Sequence, residues 1–159
     1  MGEFGEWLEG LESDLRERID RTDALDDLFQ VTFCGDGPEI EQASRCLAKM
    51  AQNGCGDMRV LSILMSMRDV SDAVSENVCW GLGELAGAGI GDSDGLDYVL
   101  RMTASACGSL CAMALWSAGR YASDICSDDP RIALVASEFL LNDSPLIRMA
   151  AESCMQQVK

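Results

Sequence analysis

The chain has 159 residues, 48% of them apolar and 25% charged, with 27 acidic and 12 basic side chains, a net charge of −15 and no histidine. That length serves one core or one short repeat array. The acid excess argues against direct contact with nucleic-acid phosphates, where affinity comes from Lys and Arg displacing counterions. The missing histidine excludes Ser-His-Asp and Cys-His catalysis and every His-ligated metal site.

The first residues, MGEFGEWLEGLESDL, carry acid where an export signal needs a basic and then an apolar region, so a cytoplasmic protein is expected. Eight cysteines scattered along a chain of this length also fit a reducing compartment better than a secreted disulfide scaffold. Residues 1–41 hold 13 acids and 3 bases. They are patterned nonetheless: Phe4, Trp7, Leu8, Leu11, Leu15 and Ile19 recur at helical spacing and predict an amphipathic helix over 3–19. Its polar face lacks the Lys and Arg of an interfacial membrane helix.

Short apolar segments then alternate with longer ones, separated by Gly, Asp and Pro. The shorter set is 23–34, 57–68, 94–103 and 130–142; the longer set begins at Glu39, Val74, Cys107 and Ile147. Pro38, Pro130 and Pro145 stand where helices should start, a position at which proline forfeits no intrahelical bond. Residues 102–119 carry no charge, but their Ser, Thr and Gly content fits a packed helix better than a membrane span. No segment alternates like a strand, and the expected class is all-α.

The four longer helices align on their first residues. Position 5 is Ala43, Val78, Cys111 and Ala151; position 8 is Cys46, Gly81, Ala114 and Cys154; position 9 is Leu47, Leu82, Leu115 and Met155; position 12 is Met50, Leu85, Ala118 and Val158. At 100° per residue these share one stripe with position 1, small at 5 and 8 for close approach and larger at 9 and 12. The starts lie 35, 33 and 40 residues apart, which is repeat spacing.

On these residues the chain resembles the HEAT-repeat family, and within it the PBS-lyase HEAT-like repeats. Their second helix follows a loose Val-Arg-x-Ala-Ala-Ala-x-Ala-Leu-Gly-x-Ile pattern. Val74, Leu82, Gly83 and Leu85 match it, as do Ile147, Arg148, Ala150 and Ala151; the arginine of its second position survives only as Arg148. The resemblance covers about residues 22–159 and implies an α-solenoid of about four helix pairs (approximately 22–54, 55–89, 90–122 and 125–159) behind an N-terminal capping helix.

Candidate chemistry is sparse. Cys46, Cys107, Cys111 and Cys154 fall on the stripe, where free Cys packs as a small hydrophobe; Cys34 and Cys55 lie near turns and are the better candidates for exposed thiols. Without CxxC or histidine no metal site is expected. GLGELA at Gly81 has the glycines of a dinucleotide turn but no preceding strand. Asp92, Asp94 and Asp97 fail the calcium-loop spacing and read as a helix cap.

Opposite the stripe lie Glu76, Trp80, Gly83 and Gly87, then Ser109, Met113, Trp116 and Arg120, then Met149, Ser153 and Gln156. Trp80, Met113, Trp116 and Met149, with Arg120, make a candidate partner-binding patch, since such apolar groups mark contact sites. The competing account covers them with another helix or a second copy of the chain. The expectation is a non-enzymatic scaffold or adaptor that binds a protein, with a basic one favoured by the acid excess, and without a cofactor, a membrane or direct nucleic acid. Two alternatives stand beside it. One is a cofactor- or chromophore-handling, lyase-like accessory subunit, which the family resemblance implies; the other is an acidic DNA mimic.

Overall fold

The computed structural model describes residues 2–159, and these are all-helical, with no strand among them. The α-helices are α1 (Gly5–Arg16), α2 (Leu25–Cys34), α3 (Gly37–Gln52), α4 (Met58–Ser66), α5 (Asp72–Gly87), α6 (Ser93–Met102), α7 (Gly108–Asp124), α8 (Pro130–Ser137) and α9 (Pro145–Gln157). A single 3-10 turn, Thr22–Ala24, leads into α2. Among the described residues, no helix is long and apolar enough to cross a membrane. The chain forms two compact units, one ending at Gly81 within α5 and one running from Leu82 to Lys159.

In the first unit α3 is the central element. Asp36 caps it in a capping box: its carboxylate accepts from the Glu39 N–H, and the Glu39 carboxylate accepts from the Asp36 N–H. Pro38 sits at the second helical position. The buried Glu39 has its other oxygen on the Phe4 N–H, so one side chain ties down the starts of both α1 and α3. Helix α1 lays Leu8, Leu11 and Leu15, all buried, against α3. Polar contacts flank that seam: Arg45 Nε donates to Glu12 at 2.7 Å, Gln42 Nε2 to the same carboxylate at 3.0 Å, and Asn53 Nδ2 to the Leu15 carbonyl at 2.8 Å. Arg45, by hydrogen bond and then by charge, holds the Glu12 carboxyl below its ordinary range.

Helix α1 is shorter than its sequence pattern. It stops at Arg16, where Ile19 N–H turns back to the Asp14 carbonyl and Arg18 N–H to the Leu15 carbonyl. That closure puts Arg18 in the left-handed region at φ 60 and leaves Ile19 exposed rather than on the core face. The end of α3 uses the same closure with Gly54 at φ 95, which suits a residue without Cβ.

In the second unit α7 is central and packs against α6, α8 and α9. Helix α9 lies most extensively on α7: a Cβ at Gly108 would meet Ile147 Cδ1 at 4.0 Å, and one at Gly119 would meet the Cys154 Cα at 3.1 Å. Those two approaches advance together, so the helices run in the same direction. Asp92 Oδ1 accepts from the Gly95 N–H and caps α6, as expected of that acidic loop. Asp129 and Ser144 cap α8 and α9, each followed by proline at the first helical position. The α8 helix ends at Ser137, five residues before its apolar pattern. The Ser137 hydroxyl donates to the Leu134 carbonyl, and the following N–H groups reach only three residues back.

The aligned stripe is the buried face of all four longer helices, apart from Cys107, Met155 and Val158, which are half-buried. Cys107 is the cap residue of α7 and Val158 that of α9, so both stand at helix edges.

Two devices recur that the stripe does not contain. Thr32, Ser66, Thr103 and Ser137, one near the end of each short helix, donate to the carbonyls of Phe29, Ile63, Leu100 and Leu134 at 2.6–2.7 Å. The second is an Asp-x-Arg start. Asp57 caps α4 and pairs with Arg59, which reaches Asp26 of α2 at 3.2 Å. Asp129 caps α8 and pairs with Arg131, which reaches Asp97 of α6 at 2.7 Å.

Candidate partner-binding face

Residues Met113, Trp116 and Arg120 follow one another at intervals of three and four along α7 and share a face, half-buried, opposite its stripe. The last six residues of α5 make room for Trp116 and Arg120. A Cβ on Gly83 would stand 2.5 Å from Trp116 Cζ3 and 3.1 Å from the Ser117 Cα. Gly83 therefore admits the indole edge and is buried, where the sequence pattern had placed it outward. Gly87 does the same for the Arg120 guanidinium. Arg120 also lies over the Trp116 ring, 5.7 Å from its centroid, and 4.0 Å from Asp124 Oδ2. The indole thus has its edge seated at a glycine and a guanidinium over its ring, and it remains half-buried.

Met149, on α9, is 67% exposed. Trp80 is half-buried and belongs to the first unit. Of the candidate residues, then, direct contact joins Trp116 to Arg120, Met113 shares their helix face, and Met149 stands on the helix packed alongside.

The cysteines behave as packing groups. Cys46, Cys79, Cys111 and Cys154 are buried, and burial pushes the thiols of Cys46 and Cys79 up to about 12 and that of Cys154 to about 11. Cys34 is exposed. Cys55 is half-buried in a cavity of about 350 Å³ between the turns that follow α1 and α3, with its sulfur 3.8 Å from the Thr22 hydroxyl. Among the described residues no three Cys, Asp or Glu side chains are grouped to hold a metal ion.

Sequence reasoning missed the glycine seats of Trp116 and Arg120, the hydroxyl device and the Asp-x-Arg starts. The last two leave a signal: a Ser or Thr recurs at 32, 66, 103 and 137, and Asp-x-Arg recurs at 57–59 and 129–131. Gly83 leaves a weaker one, as glycine inside a helix costs about 1 kcal/mol against alanine and implies a close neighbour. No model of a known protein family matches the chain, and no curated protein does.

Proposed function

We propose that the chain is a non-enzymatic protein-binding module, a HEAT-like α-solenoid of about four helix pairs working in a reducing compartment. It presents the face of Met113, Trp116, Arg120 and Met149 to a protein partner. The hydroxyl device repeated in four short helices supports the repeat reading, as does the small-residue stripe buried in the four longer ones.

The observation that carries the binding role is the half-buried indole, with its edge seated at Gly83 and Arg120 over its ring, together with the exposed Met149 on the helix packed against α7. Tryptophan and arginine dominate interface energetics when they are rigid before binding, because little side-chain freedom is then lost. Methionine adds an adaptable apolar rim. The net charge of −15 favours a basic partner and makes association slower as salt rises.

The test is recovery of partners from the native host by wild type, Met149→Glu, Met113→Glu and, as a control, Leu141→Glu, the last at a side chain 94% exposed. A protein recovered by wild type and control and lost with both methionine variants supports the reading, provided circular dichroism shows equal helix content. Recovery of the same set by all four baits places the interface elsewhere. Should Met113→Glu unfold, the exposed Met149→Glu decides alone.

A further inference from the structure

A second surface lies in the first unit, on α2 and α4. Helices α2 and α4 run side by side in the same direction, since Asp26 meets Arg59 at their starts and, a turn later, Phe29 lines the same groove as Ser62 and Ile63. Between them is a groove of about 230 Å³ floored by Leu25 and Ile63 and walled by Phe29 and Ser62, with the Asp26–Arg59 pair closing one end. Phe29 is 42% exposed, and Phe33, packed edge-on against it at 5.0 Å, is 69% exposed. Neither ring belongs to the buried face of α2, which is Leu25, Leu28 and Val31. Two neighbouring phenylalanines left in solvent are costly to solubility and mark a contact surface.

Charge decides what fits. The start of α2 carries Asp23, Asp26 and Asp27, all exposed; Asp23 is paired with Arg21 and Asp26 with Arg59, and the excess of acid comes from residues 1–41, which hold 13 acids, 3 arginines and no lysine. Arg59, the cation that lines the groove among the described residues, is already held by Asp57 and Asp26. A second copy of this chain would bring the same carboxylates face to face, which like-charge repulsion opposes. The groove is also smaller than the roughly 300 Å³ at which small-molecule pockets begin. Its chemistry asks for apolar side chains at helical spacing, over Phe29 and Phe33, and for cations next to them, over the aspartates.

We infer that the α2–α4 groove docks a basic amphipathic helix of a protein partner, with apolar anchors on Phe29 and Phe33 and Lys or Arg drawn by the acid excess at the start of α2, where Asp27 stands beside the Asp23–Arg21 and Asp26–Arg59 pairs. Such helix-in-groove recognition uses anchors one turn apart.

The full chain is titrated calorimetrically with a synthetic amphipathic helix of leucine and lysine, and with the same helix carrying glutamate for lysine. The variants are Phe33→Ser, Phe29→Ser and Leu141→Ser. The expected result is saturable binding of the lysine helix that weakens with salt. Loss of either phenylalanine should weaken it about tenfold, the effect of one buried aromatic anchor, while Leu141→Ser stays within about twofold of wild type. Phe33 is mostly exposed, so its variant should keep wild-type helix content, which circular dichroism checks. Three outcomes overturn the inference. One is no binding. Another is binding that ignores both phenylalanine variants, which means adsorption to the acidic surface alone. The third is a dimer of the free chain that Phe33→Ser dissolves, which makes a second copy the occupant.

Discussion

Gly83 and the buried cysteines show how single atoms govern this chain. Adding a Cβ at Gly83 drives it into the Trp116 ring and the Ser117 backbone, and neither yields easily. Overpacking of this kind costs about 1–3 kcal/mol, which outweighs the roughly 1 kcal/mol of helix propensity that alanine adds. Gly83→Ala should therefore lower the urea midpoint. Gly10→Ala, in α1 with nothing within 4 Å of the new atom, should raise it. The thiols give a pH window. Cys46 and Cys79 titrate near 12 when folded against an ordinary 9.0, so the unfolded chain loses those protons first. Their contribution is whole below pH 9 and declines as pH rises from 9 to 12. Thermal melts across that range should show falling stability, and Cys46→Ala/Cys79→Ala should flatten the decline. The packing role of Cys46 was legible, because its stripe position asks for a small apolar group. The seat of Trp116 was not, since helical periodicity assigns a face to an indole but does not say that a glycine on another helix will receive it.

Among the elements, α1 depends most on polar anchorage. Its start is held by the Glu39 carboxylate, its middle by Arg45 and Gln42 on Glu12, and its end by Asn53 on the Leu15 carbonyl. Glu39→Ala removes a capping partner from α3 and the acceptor for the Phe4 N–H together. A loss of about 1–2 kcal/mol is expected, and hydrogen exchange should quicken first in the early amides of α1 and α3. A uniform change along the whole chain would speak against that local role. The existence and order of the nine α-helices among the described residues followed from apolar periodicity, whereas several ends did not. Ile19 continues the pattern of α1 by spacing, yet the backbone closes on Asp14 and Leu15 first. Residues 138–142 continue that of α8, yet the Ser137 hydroxyl takes the Leu134 carbonyl and the chain tightens. Hydrogen-bond competition at helix ends leaves little mark on hydrophobic spacing.

For the molecule as a whole, charge dominates. With 27 acids, 12 bases and no histidine, the folded chain repels itself at neutral pH. Between about 0.01 M and 1 M salt the screening length contracts from about 30 Å to 3 Å, so the melting temperature should climb with sodium chloride. A flat or falling response would mean that the ion pairs outweigh the repulsion.

The Asp-x-Arg starts of α4 and α8 bear on how the chain takes a load. Arg59 and Arg131 each keep one arm on the aspartate of their own cap and extend another to the preceding short helix. When neighbouring short helices are drawn apart, the outer arm lets go while the inner one keeps the guanidinium aimed at its former partner. Each contact is then a latch that reopens and recloses without a search, and within each unit the two short helices it joins can flex like a sprung joint while the cap stays intact.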